Sequence, residues 1–265
     1  MEKKLTATSA FLVALLYPVL GIAASLFASI LFGRIVPPKG NSNIDELIGG
    51  AGMFGTIMVS IVLIYICTRV FANSKRDIFF ERKPFSLSRA YYLFPLVWAG
   101  VALFALFNVD YSSTTFGIIL RVIVATLAIG INEEIVARGI LLVGLRNSRF
   151  AEWKAWLITL VVFSLYHLIN VLGGDSLVIV VVVLTGGTLL YVTRRVFNNL
   201  FVPIALHAFY DTAFFLLTGI YAVGETLPDH VLDIQLGSFL ILFAASILFL
   251  IFGRRLFNSD TVEWE

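Results

Sequence analysis

The chain has 265 residues, 59% of them hydrophobic and only 14% charged, with a mean hydropathy of +0.95 and a formal net charge of +2. Soluble domains run at about 45–50% apolar and about 25% charged, so the composition excludes an ordinary soluble domain and predicts an all-α, polytopic membrane protein. A near-neutral charge gives no reason to expect a nucleic-acid partner, and the single cysteine, Cys67, excludes an internal disulfide.

Eight apolar spans are predicted in chain order: Leu5–Phe32, Leu47–Cys67, Ala90–Phe107, Phe116–Leu142, Trp153–Leu172, Leu177–Tyr191, Leu200–Thr218 and Leu236–Phe252. The first follows Met1-Glu2-Lys3-Lys4, and its apolar run far exceeds the roughly 7–15 residues of a signal peptide, so it reads as an uncleaved span. Pro18 should kink it. Cys67 reads as a small core residue. The sixth span is rich in β-branched residues, Val178 to Val183, yet a lipid-exposed strand would leave backbone groups unsatisfied, so a helix is expected. Gly186 and Gly187 should give that helix a thin, closely packing face. Three parts are expected: 1–112, the first three helices with a basic loop; 113–218, a core of helices four to seven; and 219–265, an outer loop, the last helix and a short polar tail.

The loops alternate in charge. Lys3, Lys4, Arg69, Lys75, Arg76, Arg82, Lys83, Arg89, Arg146, Arg149, Lys154, Arg194, Arg195, Arg254 and Arg255 fall on one side, against Arg34 and Lys39 on the other. The positive-inside rule then predicts a cell-membrane protein with both termini cytoplasmic. Loop 73–88 has the charge to lie along anionic lipid, although topology alone accounts for it. Arg121 reads as an interfacial arginine that snorkels.

Polar residues inside the spans carry the chemistry. Asn132-Glu133-Glu134-Ile135-Val136-Ala137-Arg138-Gly139 places two carboxylates and a guanidinium within the fourth span. Each such charge costs roughly 2.5–3.5 kcal/mol on insertion scales. Glu134 and Arg138 are spaced to share a helix face and pair. Glu133 lies about 100° away with no partner on its own helix. A structural ion pair would explain Glu134 and Arg138 but not Glu133; an ion path would explain all three.

His167 lies in the fifth span, and His207 and Asp211 share one face of the seventh. From the expected span ends, Glu133, His167 and His207 sit about 14, 15 and 10 Å deep, all in the inner half of the membrane. They can therefore meet at one cavity. A desolvated glutamate can act as a general base, a neutral histidine can orient water, and a second can donate to an oxyanion. The same four groups, Glu133, His167, His207 and Asp211, could instead ligate zinc or another divalent metal that activates water. Both routes end in hydrolysis.

Glu133-Glu134-Xaa-Xaa-Xaa-Arg138, Phe163-Xaa-Xaa-Xaa-His167 and His207-Xaa-Xaa-Xaa-Asp211 resemble the three motifs of the CPBP family. That family includes the type II CAAX prenyl proteases and bacteriocin-immunity-like membrane proteins. Arg138-Gly139 and the run Asn199 to Ala208 extend the agreement, which covers about residues 115–217. The resemblance implies an intramembrane glutamate endopeptidase with no cofactor. Glu133 would activate water with help from His167, His207 and the residue at 211 would stabilise the oxyanion, and Glu134 and Arg138 would support the site. Its implied partners are the bilayer and a membrane-associated protein or peptide, lipidated or not. Two positions depart from the pattern. Ala137 stands where the family often has Phe. Asp211 stands where the prenyl proteases have Asn, and an ionised Asp cannot donate to an oxyanion; Asp211 would be protonated, orient His207 or bind metal. An ion-coupled transporter and a non-catalytic immunity-like protein are the alternative functions.

Overall fold

The computed structural model describes residues 4–32, 50–81, 89–168, 178–219 and 227–252. Apolar segments in lipid must satisfy their own backbone groups, and coiling into helices does so within one segment. The described helices are α1 (Ala7–Phe32), α2 (Gly50–Tyr65, continued by a π-helical turn Ile66–Val70), a short α3 (Lys75–Phe79) and α4 (Leu93–Phe107). Next comes α5 (Phe116–Glu134), which runs through a π-helical stretch, Ile135–Leu141, into α6 (Leu142–Asn147). The chain continues with α7 (Glu152–Tyr166), α8 (Val178–Phe197), α9 (Phe201–Thr218) and α10 (Asp229–Phe252). The only β pairing among the described residues is an isolated bridge between Phe80 and Asn199.

Among the described residues, seven helical segments are long and apolar enough to cross a membrane: Ala7–Leu31, Gly52–Val70, Arg89–Phe107, Phe116–Asn147, Ile179–Phe197, Phe201–Thr218 and Asp229–Phe252. The protein is thus an all-α multi-pass membrane protein. The β-branched sixth span is helical, as lipid requires. The expected fifth span is the exception. Its described helix, α7, has 15 residues, about 22 Å of rise, short of the roughly 30 Å hydrocarbon core. It ends where His167 takes up the C-cap position, and the expected stretch beyond Leu168 lies outside the described residues. So do Arg34, Lys39, Arg82, Lys83, Arg254, Arg255 and the polar tail.

The basic helix ends gather at one end of the bundle, and Glu81 is their hub. Arg194 Nε donates to Glu81 Oε1 at 2.7 Å, Arg195 Nη1 to Oε2 at 2.8 Å, and Arg146 Nη1 to both oxygens at 3.0–3.1 Å. Arg146 also forks onto Glu152, which accepts a hydrogen bond from Tyr191 Oη at 2.6 Å. The two remaining donors of Arg194 reach backbone carbonyls: those of Ile78 at 3.0 Å and of Arg138 through Nη1, and that of Asp77 at 2.8 Å through Nη2. The network therefore ties the loop after α2 and the start of α7 to the end of α8 and to the π-helical stretch. All five ionised side chains are buried. Nearby, Leu200 N–H donates to the Phe79 carbonyl and Glu81 N–H to that of Asn198. Asn198 has φ 56°, a left-handed conformation that asparagine tolerates better than most residues.

Close approach between α5 and α9 depends on Gly130. A Cβ there would lie 2.9 Å from the Ile204 carbonyl oxygen and 3.3 Å from the Ala208 nitrogen, both backbone atoms of α9. That contact sits one helical turn before Glu133 and beside His207. Cys67 is fully buried in the largest apolar cluster, with Leu63, Phe71 and Ile140.

Burial by itself raises the pKa of Glu81, but the guanidiniums of Arg146, Arg194 and Arg195 and the Arg194 hydrogen bond outweigh it and hold the carboxyl well below the ordinary carboxylate range. A depressed folded pKa means that Glu81 contributes fully at neutral pH. Its contribution declines once pH drops below the ordinary value of 4.5 and is lost as pH falls through the folded value. Glu81→Gln should cost about 3–5 kcal/mol at neutral pH by leaving buried guanidiniums without their carboxylate. Thermal melts of the detergent-solubilised protein should show a lower Tm for the variant at pH 7. The gap to wild type should narrow as the buffer is acidified below pH 4.5.

Candidate active site

Three helices and one π-helical stretch deliver the site. The end of α5 presents Glu133 and Glu134 on different faces, the π-helical stretch presents Arg138, the C-terminus of α7 presents His167, and α9 presents His207 and Asp211. The π-helical stretch, Ile135–Leu141, begins one residue past the carboxylates, a placement common at functional positions.

Glu134 is fully buried and serves two partners with one oxygen. Arg138 Nη1 donates to Glu134 Oε1 at 2.8 Å, and His207 Nδ1 lies 3.0 Å from the same oxygen. An ionised carboxylate only accepts, so Nδ1 carries the proton and Glu134 sets the ring orientation of His207. Arg138, 1% exposed, donates from Nη2 to the Gly187 carbonyl at 2.9 Å and lies 4.2 Å from the centre of the Phe163 ring. The pairing expected from helical spacing is present, and it reaches across to α9.

Glu133 faces the other way. Its Oε2 is buried and makes no hydrogen bond. It lies 3.7 Å from His207 Nε2 and 4.0 Å from His167 Nε2. These separations are too long for a direct hydrogen bond and fit a group bridging between them. His167 Nδ1 lies 3.0 Å from the Phe163 carbonyl. A carbonyl can only accept, so Nδ1 donates and Nε2 of a neutral His167 presents a lone pair towards Glu133. Asp211 Oδ2 lies 3.5 Å from His207 Nε2, the nitrogen that also faces Glu133. The role of orienting His207 through Nδ1 belongs to Glu134, not Asp211. All six side chains singled out from the sequence thus meet at one place.

Several contributors were not foreseen. A cavity of about 460 Å³ opens from Glu133 and His167, lined by Tyr17, Pro18, Ile22 and Leu26 of α1, Gly55 and Val59 of α2, Ile129 and Asn132 of α5, and Tyr166. Asn132 pins α5 to α2: Ser60 Oγ donates to its Oδ1 at 2.7 Å, and its Nδ2 donates to the Thr56 carbonyl at 3.0 Å. Tyr166 Oη donates to the Ala14 carbonyl at 3.0 Å. Pro18 has no N–H, so the carbonyl four residues before it loses its helical partner, and that carbonyl is Ala14. The signal was present in the sequence as a proline inside a span, but nothing local named Tyr166 as the donor. Arg121 donates to the Gly117 carbonyl on the protein exterior, away from the site.

No group of three or more His, Cys, Asp or Glu side chains among the described residues is arranged to hold a metal ion. The metal-ligating alternative for Glu133, His167, His207 and Asp211 therefore gains no geometric support.

The helices and this buried carboxylate–histidine cluster define a multi-pass membrane protein with a polar centre inside its apolar bundle. Residues 114–213, which include all six side chains, match the family of type II CAAX prenyl endopeptidase Rce1-like proteins. The match falls on the segment that carries the three motifs and supports their resemblance to that family. No curated protein and no solved structure matches the chain.

Gly187 gives a direct test of the Arg138 seat. A Cβ at this position would meet Leu160 Cδ1 at 2.6 Å and Arg138 Nη2 at 2.9 Å. Gly187→Ala should destabilise the folded protein by about 1–3 kcal/mol, the usual range for overpacking, seen as a lower Tm. Gly100→Ala, where an added Cβ meets nothing within 4 Å, should melt with wild type.

Proposed function

We propose that the protein is an intramembrane endopeptidase that hydrolyses a peptide bond of a membrane-associated protein or peptide through water activated by Glu133. The observation that carries this reading is the buried Glu133 oxygen, without a hydrogen bond, facing two histidine Nε2 atoms at 3.7 and 4.0 Å beside a cavity. Glu133 accepts a proton from water as the hydroxide forms a bond to the scissile carbonyl carbon. The same proton then passes to the leaving amine as the carbon–nitrogen bond breaks. His167 Nε2 orients the water. His207, held by Glu134, supports the charge that develops on the carbonyl oxygen. Asp211 contributes to that support in its protonated form, since only then can it donate. Glutamate catalysis is preferred over a metal-bound water on the resemblance of the three motifs to a glutamate-type protease family. The largely apolar cavity wall, with Ile22, Leu26, Val59 and Ile129, suits an apolar or lipidated segment entering from the bilayer.

Comparative proteomics of membrane fractions from cells carrying wild type or Glu133→Gln should reveal the substrate as an accumulating uncleaved precursor. Removing a general base typically costs about 10²–10⁴-fold in rate. Cleavage of that substrate by purified Glu133→Gln should fall by this factor while its yield and Tm stay normal. His167→Ala and His207→Ala should behave alike. Arg138→Ala should instead lower the amount of folded protein, because it strands Glu134 at a cost of about 3–5 kcal/mol. Near-native cleavage by Glu133→Gln would refute the assignment. An unchanged proteome and phenotype would favour a non-catalytic role.

The charge alternation further supports a cell-membrane location with both termini cytoplasmic. In a Cys67→Ser background, a single cysteine in the exposed 148–151 turn between α6 and α7 should escape an impermeant thiol reagent in intact cells. One in the 219–235 loop should react. The reverse pattern would invert the topology.

A further inference from the structure

The basic residues at the crowded end of the bundle divide into two groups. Arg146, Arg194 and Arg195 are buried and bound to Glu81 and Glu152. Lys75 and Arg76, on the short helix α3, are exposed, and among the described residues neither side chain makes an ion pair or hydrogen bond. Topology alone would accept cations anywhere in this loop, so their immediate surroundings decide what more they do.

Those surroundings are apolar and concave. Lys75 and Arg76 border a groove of about 490 Å³ whose other walls are Ile64, Phe79, Phe80 and Phe201. Phe79 stacks on Phe201 with ring centres 5.8 Å apart and planes at 9°, and Phe80 meets Phe201 edge-on at 5.7 Å. The aromatic floor is therefore built rather than a chance scatter of rings. It is also open: Ile64, Phe80 and Phe201 are 42%, 46% and 53% exposed. The backbone beneath is rigid, since Leu200 N–H bonds the Phe79 carbonyl and Ile78 of the same short helix is wholly buried within 3.1 Å of where a Gly139 Cβ would sit. Phe201 opens the span Phe201–Thr218 and Ile64 lies six residues inside the end of Gly52–Val70, so the groove reaches from the headgroup boundary into the hydrocarbon.

Two unpaired cations above an apolar, aromatic-lined groove at that depth complement one class of molecule. We propose that this groove is a binding site for an anionic phospholipid. Its phosphate lies between the Lys75 ammonium and the Arg76 guanidinium, and an acyl chain lies over Phe79, Phe80, Phe201 and Ile64. A free phosphate would use the cations but leave the aromatic floor bare. The bound lipid packs against the outer side of α3, whose inner side carries Ile78 against the π-helical stretch. The site is independent of the proteolytic reading.

The test uses the full-length protein in nanodiscs of phosphatidylcholine mixed with phosphatidylglycerol. Lipids that remain bound after release are counted by native mass spectrometry. Wild type should retain phosphatidylglycerol in preference to phosphatidylcholine. Two interfacial cations set the scale, so Lys75→Gln/Arg76→Gln should reduce that preference by roughly 10- to 30-fold. Lys75→Arg/Arg76→Lys should keep it. Phe80→Ala should lower retention while leaving inorganic phosphate without effect on the melting temperature of any variant. Arg149→Gln/Lys154→Gln removes the same charge from the same end of the bundle and should retain the preference. An equal loss in both glutamine pairs would show diffuse attraction and overturn the site. Full retention by Lys75→Gln/Arg76→Gln would overturn it as well.

Discussion

The structure depends on the burial of one guanidinium. Arg138 lies inside an apolar bundle with 1% of its side chain exposed, a position that lipid tolerates only with full compensation. Glu134 neutralises it, the Gly187 carbonyl takes a second donor, and the Phe163 ring faces its plane. Each partner belongs to a different helix or turn, so satisfying Arg138 fixes α5, α7 and α8 relative to one another. Glu134 then has capacity left over for His207, which brings in α9. The geometry of the cluster follows: Glu134 is committed to Arg138 and His207, and the adjacent Glu133, about 100° round the helix, faces the cavity.

A second group of buried charges performs the same service at the end of the bundle. Glu81 gathers Arg146, Arg194 and Arg195, and Arg194 extends to the carbonyl of Arg138 itself. A π-helical stretch shifts the regular backbone pairing, and an arginine that donates to one of its carbonyls is well placed to hold that geometry. The two networks are thereby continuous from the polar end of the bundle to the site. This continuity explains why the basic ends of α6 and α8 contribute to order rather than merely to topology.

The wall of the cavity follows from a different constraint. Pro18 interrupts the hydrogen bonding of α1, and Tyr166 repairs the loss at Ala14. The repair draws α1 against the C-terminus of α7, immediately next to His167. Tyr17 stands beside Tyr166, with ring centres 5.4 Å apart. Helices that lie outside the family-matched segment thus supply much of the cavity wall, while residues 114–213 supply the carboxylate and histidine groups on it.

The sequence by itself determined the helical class, the alternation of basic loops, the Glu134–Arg138 pair and the six polar side chains of the site. Each of these rests on local spacing or on the cost of placing charge in lipid, and both can be read along a single chain. Tertiary structure alone decided which nitrogen of His207 faces which carboxylate: Nδ1 meets Glu134, while Nε2 faces Glu133 and Asp211. It also decided that Tyr166 answers Pro18 and that Gly187 answers Arg138. Those outcomes depend on contacts between helices far apart in sequence, where hydrogen-bond direction and the room left by a missing Cβ choose among partners that composition and periodicity leave equivalent.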